Sequence, residues 1–369
     1  ISHSIFETFV EYLGRVIVLY PRYIFSIGIV LFLLGSTGIY KVIVDVNLAS
    51  FFKPGTEIRN SMDFMDQEMT GTMDLRIRLE AEMKEPSVLR KVDSLQYFIE
   101  KNKSISITSS ISDVVKKMHR TVMNDSAKYD NIPVEREKVN NLFTMYAMSG
   151  NVEDFSSMVN YNNSIGLVTS LSRVMSTEEV FLFVNNISDY IKNHFNDTIK
   201  VNITGMIVVI RDMVTLIIRS SAISIVFSLF LVIMIASIFF KKIYWGVLAA
   251  LPLSGAVILN FGLMGHFNVT LNHITAILSS IIIGVGIDFA IHFISQYQKL
   301  SKSVDRENLS EETIRDVGYP IVLDAASNMG FGALIFSSFV PVQYIGGLMI
   351  FAMISTALAT LIVLASLME

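Results

Sequence analysis

The feature that most constrains this chain is where its charges are missing. Between Ser220 and Gln298 there are three charged side chains, Lys241, Lys242 and Asp288, whereas 41 of the chain's 62 lie between Lys41 and Lys200. An average soluble chain is about a quarter charged; here, over 369 residues, the charged share is 17% and the hydrophobic share 52%. Such a chain is part membrane and part soluble domain. A purely soluble enzyme and a disordered protein are excluded, and a net charge of −4 lacks the basic footprint of a nucleic-acid binder. Cysteine is absent, which removes disulfides, thiolate catalysis and cysteine-type zinc sites. The chain begins at Ile1 without an initiator Met and stops at Glu369 inside an apolar run, so it is expected to be a piece of something longer.

A spanning helix needs about 20 apolar residues. Six stretches qualify: Tyr23–Tyr40, Ser220–Phe240, Ile243–Met264 (with Pro252), Ile274–Phe293, Ile321–Val340 and Tyr344–Leu367. Tyr23–Tyr40 is long for a signal-peptide core and has no A-x-A-like site after it, so it reads as a true span. The fold expected is a polytopic α-helical membrane protein with one span, a soluble insert and five more spans. Residues 1–40 form the lead-in and first span, 41–211 the insert and 212–369 the five-helix bundle. Arg15, Arg22, Lys241, Lys242, Lys299, Lys302, Arg306 and Arg315 all flank one side, while the opposite short loops, Gly265–His273 and Pro341–Gln343, hold no Lys or Arg. The positive-inside rule makes the basic side cytoplasmic and the insert extracytoplasmic.

Within the insert, Met73–Ala81 alternates apolar and charged residues as a half-buried strand does. Ser87–Lys101 has helical spacing, and Ser104–Ser110 reads as a second strand. The pattern then repeats: Ile165–Val174 is strand-like, Ser176 and Glu179 form a capping box opening a helix to about Phe195, and Ile199–Thr204 is a strand ending at Gly205. Two β-α-β units with helical material at Pro133–Gly150 between them imply a ferredoxin-like α+β domain. Met62, Met65, Met69 and Met73 are either a pliable binding surface or core, and core packing is the expectation. Lys116, Lys117 and Arg120 read as a solvated helix face, and triplets such as Asn186-Ile-Ser188 and Asn202-Ile-Thr204 are common by chance. No nucleophile elbow, phosphate loop or metal-spaced cluster is visible, so neither an enzyme nor a metal site is expected.

The fourth span carries the sharpest signal. Asp288 lies 11 residues from Lys299, about 16 Å deep at 1.5 Å per residue. An acid there costs at least ~2.5–3.5 kcal/mol and is read first as a functional group that can gain and lose a proton. Ser280, Gly284, Asp288, His292 and Gln296 recur every four residues, a stripe drifting only about 40° per step and expected to face other helices. On the fifth span Asp324, near its start, Ser327, Asn328 and Gly332 share a face, and Asn328 could approach Asp288 in depth. Gly284, Gly286, Gly330 and Gly332 would allow close helix contact, and Phe289 is expected to pack. The competing reading makes Asp288 a neutral acid that glues helices together. Asp324 can equally snorkel or cap, and His292 can equally be a packed polar residue.

One span, an insert and five spans resemble the half-unit of the resistance-nodulation-division (RND) transporters. Gly284-Val-Gly-Ile-Asp288-Phe-Ala-Ile-His292-Phe resembles the fourth-helix signature of the MMPL and hydrophobe/amphiphile exporter branch, related to Patched and sterol-sensing domains. Asp45-Val-Asn47 with Phe51-Phe52, Ile58-Arg-Asn-Ser61, Thr204-Gly205 and Gly330-Phe331-Gly-Ala-Leu-Ile-Phe-Ser337 fit the same pattern. The family usually has Tyr where this chain has Phe289, which leaves His292 or Asn328 to replace the missing hydroxyl.

The resemblance implies one half of a tandem protein, the C-terminal half by its motifs, that exports hydrophobic or amphiphilic molecules on the proton gradient with no other cofactor. A relay of Asp288, His292, Asn328, Ser327 and Asp324 would carry the proton, with Ser280, Gly284, Gly286 and Phe289 packing around it. Expected partners are the other half, in the same chain or a second protomer, a lipid-like substrate, and periplasmic accessory proteins; the expected location is the inner membrane. A sterol- or lipid-sensing module and a SecD/SecF-like protein-export auxiliary are the alternatives.

Overall fold

The computed structural model describes residues 19–149, 157–195, 199–305 and 308–368. They form two compact units: the stretch up to Lys53 with everything from Val214 onward, and Pro54–Met213. Among the described residues, six helices are long and apolar enough to cross a membrane. Of the basic residues that set the orientation, Arg15 and Arg306 lie outside the described set.

The first span is α1 (Pro21–Ser36), with Pro at its start where the missing N–H costs nothing, and it tightens into a 3₁₀ turn over Thr37–Lys41. A second 3₁₀ turn, Leu48–Phe51, follows. Residues 41–53, counted with the insert on charge alone, group with the spans.

The inserted unit opens with α2 (Glu57–Glu68), then β1 (Met73–Glu80), α3 (Pro86–Glu100), β2 (Ile105–Ser109), α4 (Ile111–Val122), α5 (Arg136–Ser149), β3 (Ile165–Ser172), α6 (Thr177–His194) and β4 (Lys200–Thr204). The strands form one antiparallel sheet in the order β2-β3-β1-β4, with Ile77 opposite both Val168 and Ile203. This is the expected ferredoxin-like pairing. Alternation on β1 buries Leu75, Ile77 and Leu79, which join Leu89, Val92 and Leu95 of α3 and Val180, Val184 and Ile187 of α6 in one core. Each such side chain contributes roughly 1.5–3 kcal/mol by leaving water. The Ser176–Glu179 capping box forms at the head of α6.

The methionine expectation holds only for Met73, which is in the core. No residue of α2 is buried, and Met65 and Met69 are exposed. An Arg59–Asp63 pair one turn apart and a bond from Val174 N–H to Asp66 Oδ1 hold the helix, so its order does not need an apolar face in the core.

The bundle continues through α7 (Met206–Phe239), α8 (Ile243–His266), α9 (Leu278–Leu300), α10 (Leu309–Asn328) and α11 (Val340–Ala359); α11 loosens into a π turn at Thr360–Leu364 and resumes at Ala365–Met368. Two spans start well ahead of their apolar runs. α7 starts at Met206 rather than Ser220, because Asp74 Oδ1 accepts the Met206 N–H and caps the helix directly after Gly205. Its 34 residues would reach about 51 Å, beyond a ~30 Å hydrocarbon core. α10 starts at Leu309, with Glu311 and Glu312 favourably placed in its first turn and Pro320 inside it rather than at its head. Asp324 is therefore 15 residues into the helix, not near its start.

The tightest packing in the bundle joins α1 and its 3₁₀ extension to α8. A Cβ on Gly38 would lie 1.9 Å from the Gly262 oxygen, on Gly262 2.0 Å from the Gly35 oxygen, and on Gly265 1.8 Å from the Gly38 oxygen. Backbone touches backbone, a contact that small residues permit in lipid. Gly262→Ala should therefore destabilise the protein by about 1–3 kcal/mol, whereas Gly28→Ala, whose Cβ meets nothing within 4 Å, should be neutral. Thermal unfolding of the purified variants checks this; equal midpoints would contradict the crossing.

Candidate functional site

α9 packs on α8, α10 and α11. One face is closed: Ile282, Ile283, Phe289, Ala290, Phe293 and Ile294 are buried, so Phe289 packs as expected. Gly286 belongs to this face, where a Cβ would come within 2.6 Å of Leu253 and 2.8 Å of Thr356. The stripe from Ser280 to Gln296 occupies the other side. It is held at both ends: Ser280 Oγ shares a hydrogen bond of 3.0 Å with Ser224 Oγ of α7, and Gln296 Nε2 donates to Asp316 Oδ2 of α10 at 2.8 Å.

Its middle is open. Gly284, Asp288 and His292 are exposed, and a Cβ on Gly284 would meet nothing within 4 Å. Among the described residues no hydrogen bond or ion pair reaches the Asp288 carboxylate or the His292 ring. The sequence spacing predicts that the stripe faces neighbouring helices, and helix neighbours cover its ends; the acid at the eleventh of the helix's 23 residues has no cover among the described residues. The cause is rotational: with two phenylalanines and Gly286 fixed on the closed side, residues four apart through Asp288 must point away.

On α10 the expected partner of Asp288 is engaged elsewhere. Asn328 Nδ2 donates to the Asp324 backbone oxygen at 3.0 Å and to Asp324 Oδ1 at 3.1 Å, one turn back on the same helix. Both residues are half-buried and Ser327 is exposed. Directly after Asn328 the backbone tightens to 3₁₀ geometry over Met329–Phe336, a departure that often marks a hinge. Gly332 is tight against Ile350 of α11, while a Cβ on Gly330 would meet nothing. So Gly286 and Gly332 act as close-contact glycines, and Gly284 and Gly330 do not.

The glycine crossing of α1 and α8 is the feature that sequence reasoning missed; its signal is the pair of small-residue spacings Gly35-x-x-Gly38 and Gly262-x-x-Gly265. Buried Asn260 is a second omission: it donates from Nδ2 to the Leu348 oxygen at 3.1 Å and ties α8 to α11.

The inserted unit has a cleft of about 390 Å³ lined in part by Asp93, Gln96, Tyr97, Asp113, Lys116 and Tyr190. Its charges are internally matched. Lys116 pairs with Asp93 and Asp113, and Gln96 bonds Asp113, Thr108 and Ser110. Lys116 is thus a salt-bridged member of the helix face expected to be merely solvated. Burial alone would lower its pKa, but the hydrogen bonds and charges of Asp93 and Asp113 outweigh burial and raise it. Burial raises the Tyr190 phenol, whose ring stacks between Phe98 and His194. A raised lysine pKa contributes stability that is complete below about 10.5 and is lost as pH climbs through the higher folded value. Lys116→Met should cost up to about 1 kcal/mol at neutral pH for a partly exposed pair, and the gap to wild type should close only as pH climbs beyond 10.5. Urea midpoints at the two pH values test this; an unchanged gap would contradict it.

A six-span bundle with an α+β insert after its first span and, among the described residues, an unpaired acid halfway along its fourth is consistent with the RND half-unit that the sequence resembles. Residues 162–368, more than half of the sequence, match the MMPL family, and the chain belongs to that family. A membrane protein of Methanocaldococcus jannaschii is 25% identical over 262 residues, covering 69% of this chain and 63% of that protein. The cryo-EM structure of the hedgehog release protein Disp from the water bear Hypsibius dujardini has the same fold, with a TM-score of 0.65 and 13% identity over 99% of this chain and 50% of that one. The chain thus spans half of that neighbour's length and the match under two thirds of the archaeal relative's.

Proposed function

We propose that this chain is one half of a proton-driven exporter of hydrophobic or amphiphilic molecules, resident in the cell membrane with its inserted unit outside the cytoplasm and Asp288 as the proton carrier. The observation that carries this reading is the open middle of the α9 stripe, where Asp288 has no partner among the described residues and Gly284 and His292 lie beside it. A structural acid would be expected to bond a neighbouring helix; this one is left free to change charge. An uncovered polar face within a bilayer also needs a cover, and the other transporter half, in the same chain or a second protomer, would supply it. That the water-bear neighbour is a release protein agrees with movement of a substrate.

The magnitudes are compatible. An ionised acid in mid-span costs at least ~2.5–3.5 kcal/mol, and moving one charge through 100 mV is worth about 2.3 kcal/mol. A single proton can therefore bias two arrangements of the helices by roughly fiftyfold, since 1.4 kcal/mol is tenfold. In this reading Asp324 and Asn328, paired at the head of the 3₁₀ segment, would respond on α10, and His292 and Ser327 would be further members of the relay. The proton gradient is then the energy source, with no other cofactor in the reading.

The test uses the full-length protein in proteoliposomes, with an imposed pH gradient and a fluorescent lipid analogue as cargo. Asp288→Asn should cut transport at least tenfold, to the level of uncoupled wild type, without shifting the unfolding midpoint. A wild-type rate in this variant would refute Asp288 as the proton carrier, and binding of the lipid analogue without gradient-driven transport by the wild type would favour a lipid-sensing module.

A further inference from the structure

The stretch Asp45–Phe52 has no task in the transport reading, yet it is folded with care. Asn47 N–H donates to Asp45 Oδ1 at 2.9 Å, the Ser50 hydroxyl to Asp45 Oδ2 at 3.3 Å and the Asn47 oxygen at 2.6 Å, and Ala49 N–H to Asn47 Oδ1 at 2.9 Å. These bonds shape the turn from its own side chains, as Asx turns do, and require nothing from the spans.

Two attachments to the bundle stand out. At the first, Asp45 N–H donates to the Leu271 oxygen at 3.1 Å and Leu271 N–H to the Ile43 oxygen at 2.8 Å, in the loop that leads into α9. At the second, Phe52 bridges Phe339, just before α11, and the Phe339 ring meets the edges of Phe51 and Phe52 with centroids 5.6 Å apart. Phe51 is buried and also faces His273 at 5.5 Å. Val46 and Ala49 are buried as well, while Leu48 between them is half exposed. Next to the first point, Asn272 is wholly buried and its amide nitrogen has no partner among the described residues.

We infer that Asp45–Phe52 is a latch, docked on the two loops in the arrangement seen here and released from them in another. The first loop runs into the helix of Asp288, and the second follows the 3₁₀ segment headed by Asp324 and Asn328. Movement of α9 against α10 separates the two docking points. A turn held by its own side chains survives that separation. Lys53 follows at once and Pro54 begins the inserted unit, so the latch lies on the covalent path from the spans to the insert. The inference rests on Asp288 as the switch.

The absence of native cysteine makes the test direct. Val46 and Ala49 are 5% and 6% exposed, whereas Leu48 between them is 50% exposed. Val46→Cys, Ala49→Cys and Leu48→Cys are placed singly in the full-length reconstituted protein, with either Asp288 or Asp288→Asn, and treated with a membrane-impermeant maleimide. The latch predicts that Val46→Cys and Ala49→Cys label at least tenfold faster in one background than in the other, while Leu48→Cys labels rapidly in both. Equal protection in both backgrounds would make the turn a fixed part of the bundle, and equal rapid labelling would mean that it is not docked; either result overturns the latch. Failure of the proton reading shows separately, as undiminished gradient-driven transport by Asp288→Asn.

Discussion

Lipid offers no hydrogen bonds, so a polar group inside a bilayer must find its partner in the protein or cost several kcal/mol. The rest of this structure depends on that constraint. Several polar side chains of the spans find such partners: Asn260 Nδ2 bonds α11, Gln296 bonds Asp316 and Asn328 bonds Asp324. Asp288 and His292 have none among the described residues, and they share one face of one helix. A mid-span acid left bare on an exposed face is set apart from these.

What keeps Asp288 there is shape rather than hydrophobicity. In lipid, turning an apolar face inward gains little, and helix packing decides orientation. Gly286 fits between Leu253 and Thr356 where any Cβ would clash, and Phe289 and Phe293 fill the space beside it. Rotating α9 to hide the acid would break those fits and both end bonds of the stripe. Two backbone irregularities sit on the neighbouring spans, the 3₁₀ stretch after Asn328 and the π turn at Thr360–Leu364. Both depart from the α-helical ladder in segments packed against α11 or continuing it, which makes them natural places for a small rearrangement to start.

Much of this was legible in the sequence because it follows from periodicity and composition. The six spans, the two β-α-β units, the Ser176 capping box and the stripe through Asp288 are all local patterns. What was not legible depends on contacts between distant segments. Pro320 reads as a helix boundary, yet α10 runs through it because the membrane helix tolerates the missing bond. Met65 and Met69 read as core, but nothing local reveals that Asp66 ties α2 to the distant Val174 N–H instead. Asn328 has the right depth to meet Asp288, and depth says nothing about rotation. The Gly35 and Gly262 spacings were visible, but their meaning depends on which helices cross.

The central claim is that Asp288 changes its protonation state while the protein stays folded. The most direct measurement is an infrared pH titration of the membrane-reconstituted protein, wild type against Asp288→Asn. The account predicts a protonated-carboxyl band in wild type that disappears with rising pH between about 5 and 8, where a working proton carrier must titrate, and that is missing from the variant. A wild-type spectrum with no such titrating band, or one identical to that of Asp288→Asn, would contradict it and leave Asp288 as a fixed structural group.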